Sequence, residues 1–299
     1  MAGKNKNTIS KYSNVKPDYT RVRIPSGENF LSVRQNLRGK SLHTVCEEAR
    51  CPNIAECWDS GTATFMILGK NCSRGCRFCS VTHGRMEPLD PLEPEKVKEA
   101  VQEMGLTYAV ITSVDRDDLP DQGAEHYARV IRKVKELGVV VEVLTPDFQG
   151  REDLIDILIM EKPHVYAHNV ETVRRLTPEV RDRRAGYDQS LKVLSHVKAM
   201  DKNIVTKSSI MIGLGETDEE VLSTMEDLRH AGVDILTIGQ YLRPSKMQIE
   251  VREYCTLERF KSLEKIAYEK GFSYVASGPL VRTSYRASEA WVKRMVENV

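Results

Sequence analysis

The sequence predicts an α/β fold in which short buried strands alternate with amphipathic helices. Six apolar segments, rich in β-branched residues, have the composition of strands covered on both faces, at residues 62–68, 109–112, 139–143, 165–167, 209–212 and 235–238. Charged segments with helical spacing follow them. This alternation is typical of parallel βαβ units. With 40% apolar and 29% charged residues over 299 positions, the chain has the composition of a single folded domain and not of a disordered protein.

The helical segments carry recognisable start and stop signals. The spacing predicts helices over residues 95–104, 124–137, 152–161, 187–200, 217–231 and 256–270. Thr217 precedes three acidic residues, and a capping hydroxyl followed by acids favours a helix start because both satisfy free N–H groups at the positive end of the helix dipole. Gly232 then ends that helix. Six strand–helix units are compatible with two architectures, a doubly wound sheet or a complete or partial barrel. Either architecture places the site at the carboxyl ends of the strands.

Charge and hydropathy exclude several classes of protein. The 44 Lys and Arg residues balance 43 Asp and Glu residues, so the chain lacks the basic excess of a duplex-binding domain. No apolar run approaches the roughly 18 residues of a membrane span, and the first 20 residues contain no apolar signal-peptide core. We therefore expect a cytoplasmic protein with no nucleic-acid partner and no membrane partner.

The cysteines are the strongest functional signal, because six of the seven lie between Cys46 and Cys79. Clustering of this kind in a cytosolic chain indicates metal or catalytic chemistry and not a disulfide framework. One group follows the first predicted strand as C-x3-C-x2-C and consists of Cys72, Cys76 and Cys79. Three thiolates on one short loop can bind three irons of a cubane cluster, which leaves the fourth iron open for a substrate.

A second group of three cysteines precedes the first strand on a longer loop: Cys46, Cys51 and Cys57. Two triads can hold two clusters, each lacking one cysteine ligand. Structural zinc or unbound buried thiols are the alternatives. Zinc prefers four ligands in paired spacings, and six thiolates divided into two triads fit that preference poorly.

With Phe78 before its last cysteine, the C-x3-C-x2-C loop resembles the signature of radical S-adenosylmethionine enzymes. The stretches at 46–53, 168–172, 208–216 and 281–285 extend the similarity to the lipoyl synthase family, from about residue 40 to residue 287. The resemblance implies a partial (β/α)6 TIM-type barrel over residues 61–276. It also implies an N-terminal extension, 1–60, with an auxiliary cluster loop, and a C-terminal extension, 277–299, that covers the site.

The same resemblance implies two [4Fe–4S] clusters. One, bound by the second triad, would chelate S-adenosylmethionine through its open iron. The other, bound by the first triad, would be the auxiliary sulfur donor. Its fourth ligand would be Ser284, which matches the second serine of the family's Arg-Ser-Ser-Tyr motif, while Thr283 replaces the first serine.

Asn169 and Glu171 follow the fourth predicted strand, where side chains face the site of such a fold. We expect them to contact S-adenosylmethionine. The alternative is an asparagine that caps a helix and a glutamate that faces solvent.

The implied activity is radical-mediated insertion of two sulfur atoms at C6 and C8 of an octanoyl chain attached to a lysine of a lipoyl carrier protein or domain. It implies two further partners, an electron donor and iron–sulfur cluster assembly proteins. Another radical sulfur-insertion or maturation enzyme is one alternative, and the first triad with the Arg-Thr-Ser-Tyr stretch argues against it. A non-enzymatic iron–sulfur protein is the other, and six βα units exceed what such a carrier requires.

Overall fold

A computed structural model describes residues 16–21, 28–59, 63–285 and 287 of the chain. In these residues eight strands form one sheet, and their order in the sheet is their order along the chain. The strands are β1 (His43–Thr44), β2 (Thr64–Ile67), β3 (Tyr108–Ser113), β4 (Val140–Leu144), β5 (Val165–Ala167), β6 (Val205–Ile212), β7 (Ile235–Gln240) and β8 (Tyr274–Gly278). Strands β2 to β8 are parallel, and β1 pairs with β2 in the antiparallel direction.

Three helices precede the parallel strands: α1 (Glu28–Gly39), α2 (Val45–Glu48) and α3 (Ile54–Asp59). Seven more lie between the strands: α4 (Glu93–Glu103), α5 (Ala124–Lys135), α6 (Glu152–Met160), α7 (Thr177–Val180), α8 (Tyr187–Met200), α9 (Asp218–His230) and α10 (Leu257–Glu269). The predicted start of α9 is confirmed, since Thr217 Oγ1 accepts from the backbone N–H of Glu220, at 3.3 Å, and the Glu220 carboxylate accepts from the N–H of Thr217, at 2.9 Å. This reciprocal capping box satisfies two otherwise free donors.

The predicted α/β fold, a partial (β/α)6 barrel, is confirmed. Each strand from β2 to β7 is followed by a helix, which makes six βα units. Within the described residues β1 and β8 are the two edges of the sheet, so the barrel stays open on that side. Among the same residues, no helix has the length and apolar character needed to cross a bilayer.

Three strands differ from the sequence-based expectation, and buried polar residues explain the first difference. Strand β6 begins at Val205, four residues before the predicted segment at 209–212. Its Lys207 is 1% exposed, and the Lys207 ammonium lies 2.8 Å and 3.0 Å from the two carboxylate oxygens of Glu142 on β4. An ion pair inside the barrel interrupts the apolar pattern that sequence analysis relies on. Strands β1 and β8 were not predicted, because β1 has only two residues and the residues of β8 are mostly half-buried and mixed in polarity.

Candidate active site

The carboxyl ends of the strands open into one cavity of about 600 Å³. All six clustered cysteines line it: Cys46, Cys51, Cys57, Cys72, Cys76 and Cys79. Asn169, Glu171 and Ser284 line the same cavity. The fold thus brings together every residue that the sequence predicted for the site, although they come from both ends of the chain.

The loop that carries the second triad follows β2 and is tied to its surroundings by backbone hydrogen bonds. Gly69 starts the loop at φ 97°, a left-handed conformation that favours glycine. The N–H of Ser73 donates to the carbonyl of Asp115, after β3, at 2.9 Å. The N–H of Arg77 donates to the carbonyl of Val180, at the end of α7, also at 2.9 Å. These bonds hold the loop in place without using the thiols.

The three sulfur atoms of this loop accept backbone N–H groups. The donors are Arg74 and Asp115 to Cys72 at 3.4 Å, Asp182 to Cys76 at 3.3 Å, and Val81 to Cys79 at 3.4 Å. Burial raises the pKa of the Cys72 and Cys76 thiols to about 12 and that of Cys79 to about 11, and these N–H groups oppose the rise. Hydrogen bonds to cysteine sulfur stabilise the negative charge of a bound iron–sulfur cluster and tune its reduction potential.

Arg74, between the first two cysteines of the loop, is surrounded by carboxylates. It donates to both oxygens of Asp117 at 2.8 Å and lies 2.8 Å from Asp147 and 3.3 Å from Asp115. Its side chain is 2% exposed. Because Asp115 follows β3 and Asp147 follows β4, the arginine anchors the cysteine loop to the ends of two strands. Sequence reasoning missed this cluster, although acidic residues directly after a strand were a signal for it.

The carboxylates around Arg74 differ in their ionisation. Burial opposes the charge of Asp117, but hydrogen bonds from Arg74 and Gln149 outweigh it and lower the pKa of Asp117 to about 2. Burial raises the pKa of Asp115 to about 6, against the attraction of Arg74. At neutral pH the buried guanidinium is therefore matched by at least one firmly ionised carboxylate.

The first triad lies where α2 and α3 meet the start of β2. Thr64, the first residue of β2, lies beside the first triad: its Oγ1 lies 3.0 Å from the Ser284 Oγ. Burial raises the pKa of the Cys46 thiol to about 11, and the backbone of Thr64 opposes that rise. Burial raises the pKa of the Cys51 thiol, while the positive charge of Arg282 opposes the rise. The hydroxyl of Ser284 and the guanidinium of Arg282 thus both lie at the first triad.

The C-terminal segment, residues 279–285, crosses the first triad and is attached there. The side-chain amide of Asn53 donates to the carbonyl of Leu280 at 2.6 Å. The hydroxyl of Tyr285 donates to the carboxylate of Glu56 at 3.1 Å. Since Asn53 and Glu56 flank the cysteines of this triad, the segment covers that side of the cavity.

Asn169 joins the other side of the cavity to the same C-terminal segment. Its amide nitrogen donates to the Thr283 Oγ1 at 2.9 Å and to the carboxylate of Glu171 at 3.1 Å. The Asn169 carbonyl oxygen is buried and has no partner among the described residues. Burial raises the pKa of Glu171, whose backbone has a φ of 66°. Thr283 and Ser284, neighbours in sequence, therefore contact opposite walls of the cavity.

His168 is held neutral by a buried hydrogen-bond network. Its Nδ1 lies 2.9 Å from the carbonyl of Thr145 and its Nε2 lies 2.9 Å from the Ser190 Oγ, which also accepts from Arg181 at 2.7 Å. A carbonyl only accepts, so Nδ1 carries the proton and Nε2 accepts from Ser190. Burial, with the nearby charge of Arg181, lowers the pKa of His168 to about 4.

The Gly-Leu-Gly-Glu stretch after β6 has a structural role. The carboxylate of Glu216 accepts from the backbone N–H groups of Gly213, at 2.6 Å, and Leu214, at 2.9 Å. A Cβ at Gly213 would lie 2.4 Å from the carbonyl oxygen of Glu253, so only glycine fits there. The carboxylate of Glu216 therefore holds the turn formed by its own stretch.

The donor set fits iron–sulfur clusters. Among the described residues, no group of three or more His, Cys, Asp or Glu side chains is placed to hold a single metal ion. In a cubane cluster each cysteine binds a different iron, so the ligands stand apart around open space. Two cysteine triads around one cavity, with N–H groups directed at the sulfur atoms of the second triad, match that requirement.

Comparison with known proteins decides the family. The model of the radical SAM superfamily matches residues 66–228, and the model of the N-terminal domain of lipoyl synthase matches residues 3–51. The lipoyl synthase of Picrophilus torridus is 65% identical over 285 residues, which cover 95% of this chain and 99% of that protein. The chain belongs to the lipoyl synthase family.

Other lipoyl synthases match almost as extensively. That of Sulfolobus acidocaldarius is 58% identical, with 92% of this chain and 94% of that protein covered. The mitochondrial lipoyl synthase of Schizosaccharomyces pombe is 52% identical, with 94% and 78% covered. The resemblance inferred from the motifs is confirmed.

Solved structures support the fold alone. Methylornithine synthase has a TM-score of 0.53 at 12% identity, with 92% of this chain and 94% of that chain covered. Streptococcus suis SuiB bound to S-adenosylmethionine has a TM-score of 0.57 at 12% identity, with 76% and 54% covered. At such identities the similarity concerns the barrel and not the substrate.

Proposed function

We propose that this chain inserts two sulfur atoms at C6 and C8 of an octanoyl chain attached to a lysine of a lipoyl carrier domain, which gives the lipoyl cofactor. The observation that carries the proposal is the single cavity lined by both cysteine triads. An octanoyl chain in that cavity would lie between a site that generates a radical and a site that donates sulfur. Membership of the lipoyl synthase family supports the same activity.

The cofactors of this enzyme are two [4Fe–4S] clusters and S-adenosylmethionine. When bound, they supply an electron, a radical able to abstract hydrogen from unactivated C–H bonds, and the sulfur atoms. The ligands of the cluster that binds S-adenosylmethionine are Cys72, Cys76 and Cys79. Those of the auxiliary cluster are Cys46, Cys51, Cys57 and Ser284.

The assignment of Ser284 rests on its contact with Thr64. The next residue of β2, Phe65, pairs with Thr44, two residues before Cys46, so the Ser284 hydroxyl lies on the side of the first triad. Thr283 contacts Asn169 on the other wall. A serine oxygen is a harder donor to iron than a thiolate, and a ligand that dissociates suits a cluster that gives up sulfur.

The remaining residues position the reactants and exclude water. Arg74 fixes the second triad to the strand ends, and the C-terminal segment covers the first triad. The free carbonyl of Asn169 and the carboxylate of Glu171 offer acceptors to the amino and hydroxyl groups of S-adenosylmethionine. In this arrangement the protein orients the cofactors and shields the radical, while the cofactors carry the difficult chemistry.

We propose the domain division that the sequence predicts, and the same contacts support it. It has an N-terminal extension, 1–60, a core, 61–276, and a C-terminal extension, 277–299, and the hydrogen bond from Asn53 to Leu280 joins described residues of the two extensions at the auxiliary site. The partners of the enzyme are an octanoylated carrier domain, an electron donor and cluster assembly proteins. A cytoplasmic location stays a prediction from the sequence.

The decisive experiment is anaerobic incubation of the reconstituted protein with S-adenosylmethionine, dithionite and an octanoyl-lysine peptide, followed by mass spectrometry. We expect a peptide that carries two added sulfur atoms, together with 5′-deoxyadenosine. The same peptide with an unmodified lysine is the matched control and should gain no sulfur. Cleavage of S-adenosylmethionine without sulfur in the octanoyl peptide would indicate another radical enzyme. Iron and acid-labile sulfide analysis separates both outcomes from a zinc protein, since two cubane clusters contain about eight irons per chain.

A further inference from the structure

A second cavity, of about 250 Å³, lies on the other side of the second-triad loop. Arg77 of that loop lines this cavity, whereas its neighbours Cys76 and Phe78 line the active-site cavity. Arg243, after β7, lines both. The loop therefore separates the active site from a second, outer surface.

This outer surface is basic. Four cations line the cavity against two acids, Glu179 and Glu250. The cations are Arg77, Arg243, Lys246 and Arg252. The acids neutralise them only in part, because Glu250 lies 3.4 Å from Arg243 with 73% of its side chain exposed and Glu179 lies 3.9 Å from Arg252. The surface thus has an excess of positive charge in a chain whose net charge is only +1.

The same cavity carries an apolar side chain that a small anion would not need. Met247 is 89% exposed, more than any other large apolar residue described in the chain. Methionine and arginine are both enriched where proteins bind one another. An exposed methionine among arginines indicates a protein partner with acidic groups around an apolar centre.

The surface is connected to the predicted cluster ligands by hydrogen bonds. Gln248, which lines the outer cavity, donates from its amide nitrogen to the carbonyl of Cys79 at 3.1 Å. The N–H of Ile249, in the same cavity, donates to the carbonyl of Arg77 at 3.0 Å. A partner bound at this surface would therefore lie close to the second triad. Such proximity favours electron transfer, because tunnelling weakens steeply with distance.

We propose that this basic surface binds an acidic electron-carrier protein that reduces the cluster at Cys72, Cys76 and Cys79. The inference rests on the proposed function, which requires that cluster to be reduced. One electron passes from the reduced carrier to the oxidised cluster, and no bond forms or breaks. An octanoylated carrier domain fits this surface less well, because the loop stands between the outer cavity and the active-site cavity.

The test compares two charge reversals in the reconstituted holoenzyme. Lys246→Glu alters the proposed surface. Lys202→Glu makes the same charge change on an exposed lysine before β6, at the amino ends of the strands and hence at the opposite end of the barrel. The probe is a reduced plant-type [2Fe–2S] ferredoxin, an acidic donor with a low reduction potential. Rates of cluster reduction are followed by stopped-flow absorbance, and ferredoxin affinity by calorimetry.

We expect Lys246→Glu to lower the second-order rate of reduction by ferredoxin about tenfold at low salt, because a rim charge mainly changes the association rate. The loss should shrink at 1 M salt, where the Debye length is about 3 Å. Lys202→Glu should stay within about twofold of the unaltered protein, since charge far from the contact is largely screened. Dithionite, which needs no docking, should reduce all three proteins equally. Met247→Ala should weaken ferredoxin binding without changing the dithionite rate.

Three results would overturn the inference. One is an unchanged ferredoxin rate in Lys246→Glu, and another is an equal loss in both charge reversals. The third is a raised KM for the octanoylated carrier domain with a normal ferredoxin rate, which would assign the surface to the substrate. Failure of dithionite to support S-adenosylmethionine cleavage in the unaltered holoenzyme would instead contradict the proposed function, and this inference with it.

Discussion

Replacement of Arg74 by methionine removes the buried cation that three carboxylates surround. The guanidinium donates to both oxygens of Asp117 at 2.8 Å and lies 2.8 Å from Asp147 and 3.3 Å from Asp115. The side chains of Arg74 and Asp147 are 2% and 0% exposed, so water does not take the place of the lost contacts. Methionine keeps an unbranched stem in the same space, which makes the charge the main difference.

The loss of one partner from a buried ion pair destabilises a protein by about 3–5 kcal/mol. Two features place this variant near the lower end of that range. Asp117 keeps hydrogen bonds of 2.8 Å from Ser73 and Gln149. Asp115, whose pKa burial raises to about 6, takes up a proton at little cost. We therefore expect Arg74→Met to lower the free energy of unfolding by about 3 kcal/mol.

Urea unfolding of the cluster-free protein, followed by circular dichroism, measures this loss. Arg132→Met is the matched control, since Arg132 pairs with Glu161 on the surface with 62% of its side chain exposed. Exposed pairs contribute about 0–1 kcal/mol, so the control should remain within that range. The double variant Arg74→Met/Asp147→Asn should be more stable than Arg74→Met, because it removes the negative charge of a fully buried carboxylate that has lost its arginine.

Iron content after reconstitution gives a second measurement. In Arg74→Met the second triad should bind less iron, because its loop has lost its anchor. The first triad should still bind its full content of iron. A free energy of unfolding for Arg74→Met within about 1 kcal/mol of that of the unaltered protein would refute the reasoning, since the loss of an exposed ion pair costs that much. So would a double variant no more stable than the single one.

Three further predictions concern the site. Cys76→Ala should abolish S-adenosylmethionine cleavage while the auxiliary cluster still forms. Cys51→Ala should keep cleavage but stop sulfur insertion. If both variants fold, hold one cluster and lose cleavage equally, the proposed division of roles between the clusters is wrong. Ser284→Ala should lose product formation in the octanoyl-peptide assay while Thr283→Ala keeps most of it, and the reverse order would move the ligand to Thr283. The pKa of His168, about 4 in the fold, lies below its ordinary 6.5, so the unfolded chain takes up the proton first as the pH falls. The stability that neutral His168 contributes should be complete above pH 6.5 and fall by roughly 3 kcal/mol toward pH 4. Urea unfolding of the cluster-free protein between pH 6.5 and pH 4 should show this loss of stability, and His168→Asn should remove it. The same dependence on pH in both proteins would count against the network.

Much of the fold could be predicted from local sequence pattern. The helix expected over residues 187–200 occurs as α8, Tyr187–Met200, because amphipathic spacing is written within one segment. The start of β6 could not be predicted in this way. Lys207 is buried because Glu142, on a different strand, lies 2.8 Å from it, and that pairing exists only once the sheet has formed.

The sequence by itself also determined the chemistry of the site, because three cysteines spaced on one short loop define a cluster-binding motif wherever the loop lies. Only the tertiary structure decided that the neighbouring hydroxyls of Thr283 and Ser284 contact different walls of the cavity. Ser284 contacts Thr64 and Thr283 contacts Asn169, although both residues carry the same functional group. Their directions depend on how the C-terminal segment crosses the open side of the barrel. Such contacts join segments that are far apart in the chain, so they arise from packing and not from any local spacing.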